Sequence, residues 1–225
     1  MTLLMVSTHV MAQYSNESEV AVKVEGGNTE TESYSAKTLN SYKQEKNTFK
    51  LGGHYTYGTS SNVEDARNWD ALIRFEHSFN GIGLYVASQI EGDKFKGIDE
   101  RYNEDLGVSY KFIDTDVQKW KGEAGYRYTI QHNSNGTHND EHKGRLYTSY
   151  LRKLNENVKL DSWAEYLPNF TDGSKWIFSF EPGLSIVLTK TFFLKVSYRG
   201  DYENNPTAGS KKYDYSYITA LLASF

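Results

Sequence analysis

Along WDALIRFEHSF, residues 69–79, the apolar side chains Trp69, Ala71, Ile73, Phe75 and Phe79 share one parity, while Asp70, Arg74, Glu76 and Ser78 share the other. A period of two belongs to a strand with one apolar face, and His77 interrupts the apolar row near its end. The same period recurs along the chain and predicts twelve strands, at 18–26, 31–43, 48–59, 67–79, 82–94, 100–113, 118–132, 142–154, 158–168, 174–188, 192–203 and 211–225. Most are of the length a tilted membrane strand needs.

The predicted connections alternate in length. Asn80-Gly81 is a two-residue hairpin signal, and Asp114 to Asp116, Asn155 to Asn157 and Thr189 to Thr191 are also short. The connections near 60–66, 95–99, 133–141 and 204–210 are longer and polar. Short turns on one side and long loops on the other predict an all-β fold, a single up-and-down antiparallel transmembrane barrel of about twelve strands. Pro206 falls in a loop and Pro168 at a strand end, where a missing amide donor costs little; Pro182, inside a predicted strand, is expected to mark a bulge.

Aromatic residues sharpen this picture. Tyr42, Phe49, Phe79, Phe112, Trp120 and Phe192 lie beside the short turns, with Phe225 at the same level; Tyr57, Trp69, Tyr102, Tyr128, Tyr166, Trp176, Tyr202 and Tyr213 lie beside the long loops. Two belts separated by aliphatic and small residues suit the two interfaces of a bilayer. A soluble β-sandwich would bury similar one-sided strands but needs neither belts nor alternating loops.

Composition excludes other classes. No stretch after residue 15 approaches the roughly 18 continuous apolar residues of a spanning helix. A formal charge of −4, spread evenly, gives no basic patch for nucleic acid. The absence of cysteine removes disulfides and thiolate chemistry. MTLLMVSTHVMA, residues 1–12, is short and mostly apolar, with Val10 and Ala12 at signal-peptidase spacing; we expect a signal-peptide remnant there and the barrel over 13–225.

Several stretches resemble the outer-membrane family known as domain of unknown function 481, often described as salt-induced outer-membrane proteins. GGNTETESYSAK at 26–37 is similar to its first turn, RYNEDLGVSYKFIDTD at 101–116 and GEAGYRY at 122–128 to its central strands, and residues 194–225 to its closing hairpin. The resemblance implies one small outer-membrane barrel in bacteria and carries over no catalytic residues. A terminal aromatic such as Phe225 also resembles the signal read by the barrel assembly machinery of such proteins.

With the apolar parity toward lipid, the other parity faces a lumen of mixed charge. Its candidate lining residues are Arg74, Glu76, Glu123, Arg127, Arg145, Glu165, Glu181, Lys195 and Arg199, which serve either as pore lining or as structural ion pairs. About twelve strands make a barrel wider than the filled eight-stranded type and narrower than sixteen-stranded porins. This leads to a passive channel for small polar or ionic solutes, without cofactor or metal. The alternative is a non-conducting barrel with a paired lumen that organises outer-membrane lipid or associates with copies of itself. A lipid hydrolase would need a serine beside a histidine at the lipid boundary, and His54 (lumen parity) and His77 (beside a short turn) do not supply one. Residues 132–144 hold His132, His138 and His142, whose irregular spacing fits a turn-rich loop better than a metal site, and residues 91–101 read as a solvated charged loop, the less favoured alternative being a loop folded over the mouth.

Overall fold

A computed structural model describes residues 12–26, 31–60, 63–206 and 211–225. The strands are β1 (Gln13–Gly26), β2 (Thr31–Gln44), β3 (Asn47–Ser60), β4 (Val63–Phe79), β5 (Ile82–Asp93), β6 (Ile98–Asp114), β7 (Gln118–Asn133), β8 (His138–Lys153), β9 (Val158–Leu167), β10 (Ile177–Val187), β11 (Phe192–Glu203) and β12 (Tyr213–Ser224). Each pairs antiparallel with its chain neighbour, and β1 closes onto β12. The closing ladder runs from Glu17 opposite Ser224 to Gly26 opposite Tyr215. Phe225 extends it by one exchange, its amide donating to the Asn16 carbonyl (2.9 Å) and its carbonyl accepting from the Asn16 amide (3.1 Å). The sheet therefore has no free edge.

The alternation read from the sequence is inside out for a water-soluble protein. Val20, Leu51, Ile73, Leu106 and Leu146 project from the outer face and are exposed, whereas Arg74, Glu76, Glu123, Arg145 and Glu181 on the opposite parity are buried within the ring. All of the aromatic residues placed beside the short turns, Tyr42, Phe49, Phe79, Phe112, Trp120, Phe192 and Phe225, are exposed on the outer side. Toward the other end Trp69 is exposed, while Trp176 stacks on Tyr202 (5.1 Å between ring centroids) and Tyr213 on Tyr215 (6.2 Å).

The hairpin at Asn80-Gly81 has both residues at positive φ (50° and 84°), the backbone that lets a two-residue turn follow the twist of its strands. Two of the opposite connections are shorter than the sequence suggests. Residues 91–101 do not fold over the mouth: Glu91 pairs with Arg101 and Asp93 with Ile98, leaving a tight turn at 94–97 in which Gly97 takes φ 67°. Likewise His132 pairs with His138, and the turn between them uses Gly136 at φ 80°. In both places hydrogen-bonded pairing continues through polar residues that carry no alternating pattern, so strands β6, β7 and β8 reach 16–17 residues. β10 instead starts three residues later than expected, since residues 168–171 stay on β8: the Gly144 amide donates to Pro168, the Phe170 amide to His142, and Lys143 bridges Asn169. β4 and β6–β8 are thus the longest strands, whereas β5 and β9–β12 have 10–12 residues. β1 begins five residues before the apolar period does, because polar Gln13 to Glu17 pair with β2. The expected leader, apart from Ala12, lies outside the described residues.

Pro182 does not make a bulge. Pairing of β10 with β11 runs to Phe180 opposite Gly200, skips Glu181 and Pro182, and resumes at Gly183 opposite Ser197 in unchanged register. A proline lacks the N–H that a ladder uses, so the ladder is interrupted without a residue being inserted. Register shifts occur elsewhere, among them Lys111/Ile113 in β6. Near that shift Phe112 stands on the outer surface beside Trp120, with ring centroids 4.6 Å apart.

Three glycines shape the inner wall. A Cβ at Gly107 or Gly125 would stand 2.6 or 2.8 Å from the Tyr85 hydroxyl oxygen, and one at Gly83 would stand 2.5 Å from the Glu76 carboxylate. Tyr85 thus lies flat over β6 and β7 in space that glycine vacates. Gly107→Val is expected to lower stability by about 1–3 kcal/mol through overpacking. Urea unfolding in lipid vesicles would measure this, and the penalty should shrink in a Tyr85→Ala background, where only the contact with the Ala124 carbonyl oxygen (2.7 Å) is left.

Candidate functional site in the barrel lumen

One connected set of ion pairs fills the lumen beside β4–β9. The Arg74 guanidinium donates to Glu76 (2.7 Å) and, through two nitrogens, to both oxygens of Glu123 (2.8 and 2.9 Å). Arg74 comes from β4 and Glu123 from β7, so this contact crosses the lumen as a chord over β5 and β6. Arg145, on β8, donates to Glu123 (2.6 Å), to Glu165 (2.7 Å) and to the Tyr85 hydroxyl (3.0 Å). Arg127 forms a two-pronged pair with Asp105 (2.7 and 2.8 Å) and lies 3.9 Å from Glu165. Lys121 reaches Glu76 and Glu123 at 3.0 and 3.1 Å, and the Ser109 hydroxyl donates to Glu76 (2.9 Å).

The layering explains why these groups tolerate burial. Glycine backbone forms the wall, the Tyr85 ring covers it, and the Arg74 guanidinium stacks 3.8 Å above the ring centroid. The carboxylates occupy the next layer. Arginine suits such a place because its planar fork serves two acceptors while its face rests on an aromatic ring. Four cations (Arg74, Lys121, Arg127, Arg145) meet four carboxylates (Glu76, Asp105, Glu123, Glu165), so the interlock is neutral as a unit.

A second group sits on the wall of β10, β11 and β1. Lys195 donates to Glu181 (2.8 Å) and lies 3.5 Å from Glu19, and the Ser197 hydroxyl donates to Glu181 (3.0 Å). Arg199 pairs with Asp201 at 2.9 Å and stacks 5.5 Å from the Trp163 ring centroid. Lys195 and Glu181 are about as buried as the interlock, but the Arg199–Asp201 pair is wetter: the Arg199 side chain is 43% exposed, whereas that of Glu123 is 4% exposed. Between the two groups, Lys37 on β2 is exposed although its neighbours Ser33 and Ser35 on the same parity are buried or half-buried.

The nine lumen candidates therefore divide. Arg74, Glu76, Glu123, Arg127, Arg145 and Glu165 converge in one network, Glu181 and Lys195 meet in another, and Arg199 stands with Asp201. Sequence reasoning passed over Tyr85, Ser109, Lys121 and Glu19. Their parity would have placed them inside, but nothing in the sequence marks Tyr85 as the floor under two arginines.

The histidines are held elsewhere. His54 lies between the Thr56 hydroxyl (2.9 Å) and Asp70 (3.3 Å), and His77 meets the Asn47 side chain (2.7 Å). His142 bonds Tyr126 and stacks on Tyr128, while His138 pairs with Asp140 (2.9 Å). Among the described residues no three His, Asp or Glu side chains are grouped to hold a metal ion.

A closed antiparallel barrel with an apolar outer face and a charged interior is the architecture of outer-membrane β-barrels. The chain belongs to the family described as protein of unknown function DUF481, which it matches over residues 18–225. No curated protein matches the sequence. Among solved structures, the fold is similar to that of the NanC porin (TM-score 0.65, 10% identity, 92% of this chain and 98% of that one). It is also similar to the KdgM porin (TM-score 0.56, 12% identity, 93% and 99%) and to an outer-membrane channel from Pseudomonas putida F1 (TM-score 0.57, 10% identity, 94% and 95%). At such identities the likeness is one of fold.

Glu123 is the keystone of the interlock, and its removal leaves two buried guanidiniums short of a counter-charge. Glu123→Gln is expected to cost about 3–5 kcal/mol. Arg199→Gln, at a wetter pair, is expected to cost less than about 1 kcal/mol. Equilibrium unfolding of the two variants beside the parent barrel would measure both.

Proposed function

We propose that the protein is a non-catalytic, porin-like passive channel of the bacterial outer membrane for small polar or ionic solutes. In this reading the exposed outer residues meet hydrocarbon, the aromatic rings mark the two interfaces, and the short turns face the periplasm. The observation that carries it is the unequal filling of the lumen. The interlock is confined to the β4–β9 side, while on the opposite side the inward-facing Lys37 is exposed and Arg199 is almost half exposed. Charged groups that keep contact with water inside a barrel line wet space. Several inward residues of that side are small, among them Ser33, Ser197, Ser216, Ala21 and Ala220. An eccentric passage along the β10–β2 wall follows, with the interlock acting as a fixed partial plug. The similarity in fold to porins and channels supports the same reading.

Planar-bilayer recording of the refolded barrel tests it. Discrete conductance steps are expected, and Lys37→Glu is expected to move the reversal potential under a salt gradient toward cation preference, because a lumen carboxylate attracts cations. Silence across voltage, or a selectivity indifferent to Lys37, would sink the channel.

A further inference from the structure

The outer face of β9–β12 is not smooth. A groove of about 560 Å³ opens there, lined among others by Leu160, Pro182, Leu184, Val196, Tyr198, Tyr217 and Thr219. It lies where the β10–β11 ladder skips Pro182, near the middle of three strands at once. We propose that this groove holds one acyl chain of a phospholipid from the turn-side leaflet.

Three observations select that occupant. First, the lining is aliphatic and aromatic and sits halfway between the two aromatic rings, at the depth of bilayer hydrocarbon, so the ligand chemistry is a hydrocarbon chain. Second, the groove is closed on the loop side and open on the turn side. Tyr198 packs against Tyr217 (5.2 Å between centroids) and Phe180 (6.1 Å), and its hydroxyl bonds that of Tyr213 (2.5 Å), which makes a roof. Toward the turns, Leu184 is followed by Ile186 and Leu188, and Val196 by Leu194, all exposed and aliphatic. A chain enters from that end, and one descending from the loop-side leaflet meets the tyrosines. Third, the groove is a hollow in a convex wall with Tyr217 standing 59% exposed at its edge. A second barrel, itself convex, touches that edge before it reaches the floor; a flexible chain does not. Filling the hollow also recovers dispersion contacts that an unfilled void forfeits.

This inference rests on the membrane placement above but not on conduction, so a conducting barrel without lipid would sink the groove alone. The test is intact mass spectrometry of the full barrel, extracted from outer membranes in mild detergent, with its bound lipid identified. One retained phospholipid per barrel is expected. Val196→Trp or Leu184→Trp, which fill the groove, should cut retention about tenfold. Leu106→Trp, on an exposed outer position of β6, should leave it unchanged. Gel mobility of unheated samples confirms that each variant is folded, and Thr219→Trp serves if either groove variant is not. A lipid-free parent barrel, retention indifferent to the groove substitutions, a retained lipopolysaccharide, or a dimer that the groove substitutions dissociate would each overturn the proposal.

Discussion

The interlock around Glu123 governs the interior of this barrel. A carboxylate held between Arg74 and Arg145 at 2.6–2.9 Å settles where both guanidiniums must be, and hence where neighbouring strands must be bare. Arg74 needs a flat surface to rest on, Tyr85 supplies it, and Tyr85 in turn needs Gly107 and Gly125 beneath it. Charges removed from water are stable only when matched and hydrogen-bonded, so a change at any layer is felt in the others. In this way a polar interior is packed as specifically as the apolar core of a soluble domain.

The outer surface answers to a different rule. In hydrocarbon each backbone amide must find its partner within the sheet, and closure of β1 on β12 meets that demand around the ring. Pro182 is a local departure from it, and the departure coincides with the groove. The two halves of the barrel thus differ inside and out. The β4–β8 side carries most of the larger ion-pair network within; the β9–β12 side has strands of 10–12 residues, the more exposed Arg199–Asp201 pair within, and the roofed hollow outside.

Much of the fold was legible in the sequence, because a period of two survives on both faces of a barrel. Trp69, Ala71 and Ile73 against Asp70 and Arg74 announce both the strand and its orientation. Boundaries were less legible where pairing runs past the patterned region. His138 to Glu141 form the start of β8 without alternation, and residues 168–171 cling to β8 although their composition reads as loop. In the lumen, parity identified which charges face inward but not which of them meet. The pairing of Arg74 with a residue 49 positions away is fixed by barrel curvature and side-chain reach, neither of which one strand records. Tyr85 stayed hidden for a related reason: an inward tyrosine looks like any other until glycines on two different strands are seen to be its bed.

The seam that closes the ring joins residues roughly two hundred positions apart, from Val20 opposite Leu221 to Asn16 exchanging hydrogen bonds with Phe225. Every other ladder is a hairpin that forms between sequence neighbours, whereas this one has to wait for the whole chain. Until then the two ends of the sheet are open edges whose amides have no partner in lipid. Phe225 is thus more than the last aromatic of a ring: its backbone extends the seam by one exchange, and until that seam forms the sheet is eleven hairpins long and still an open ribbon.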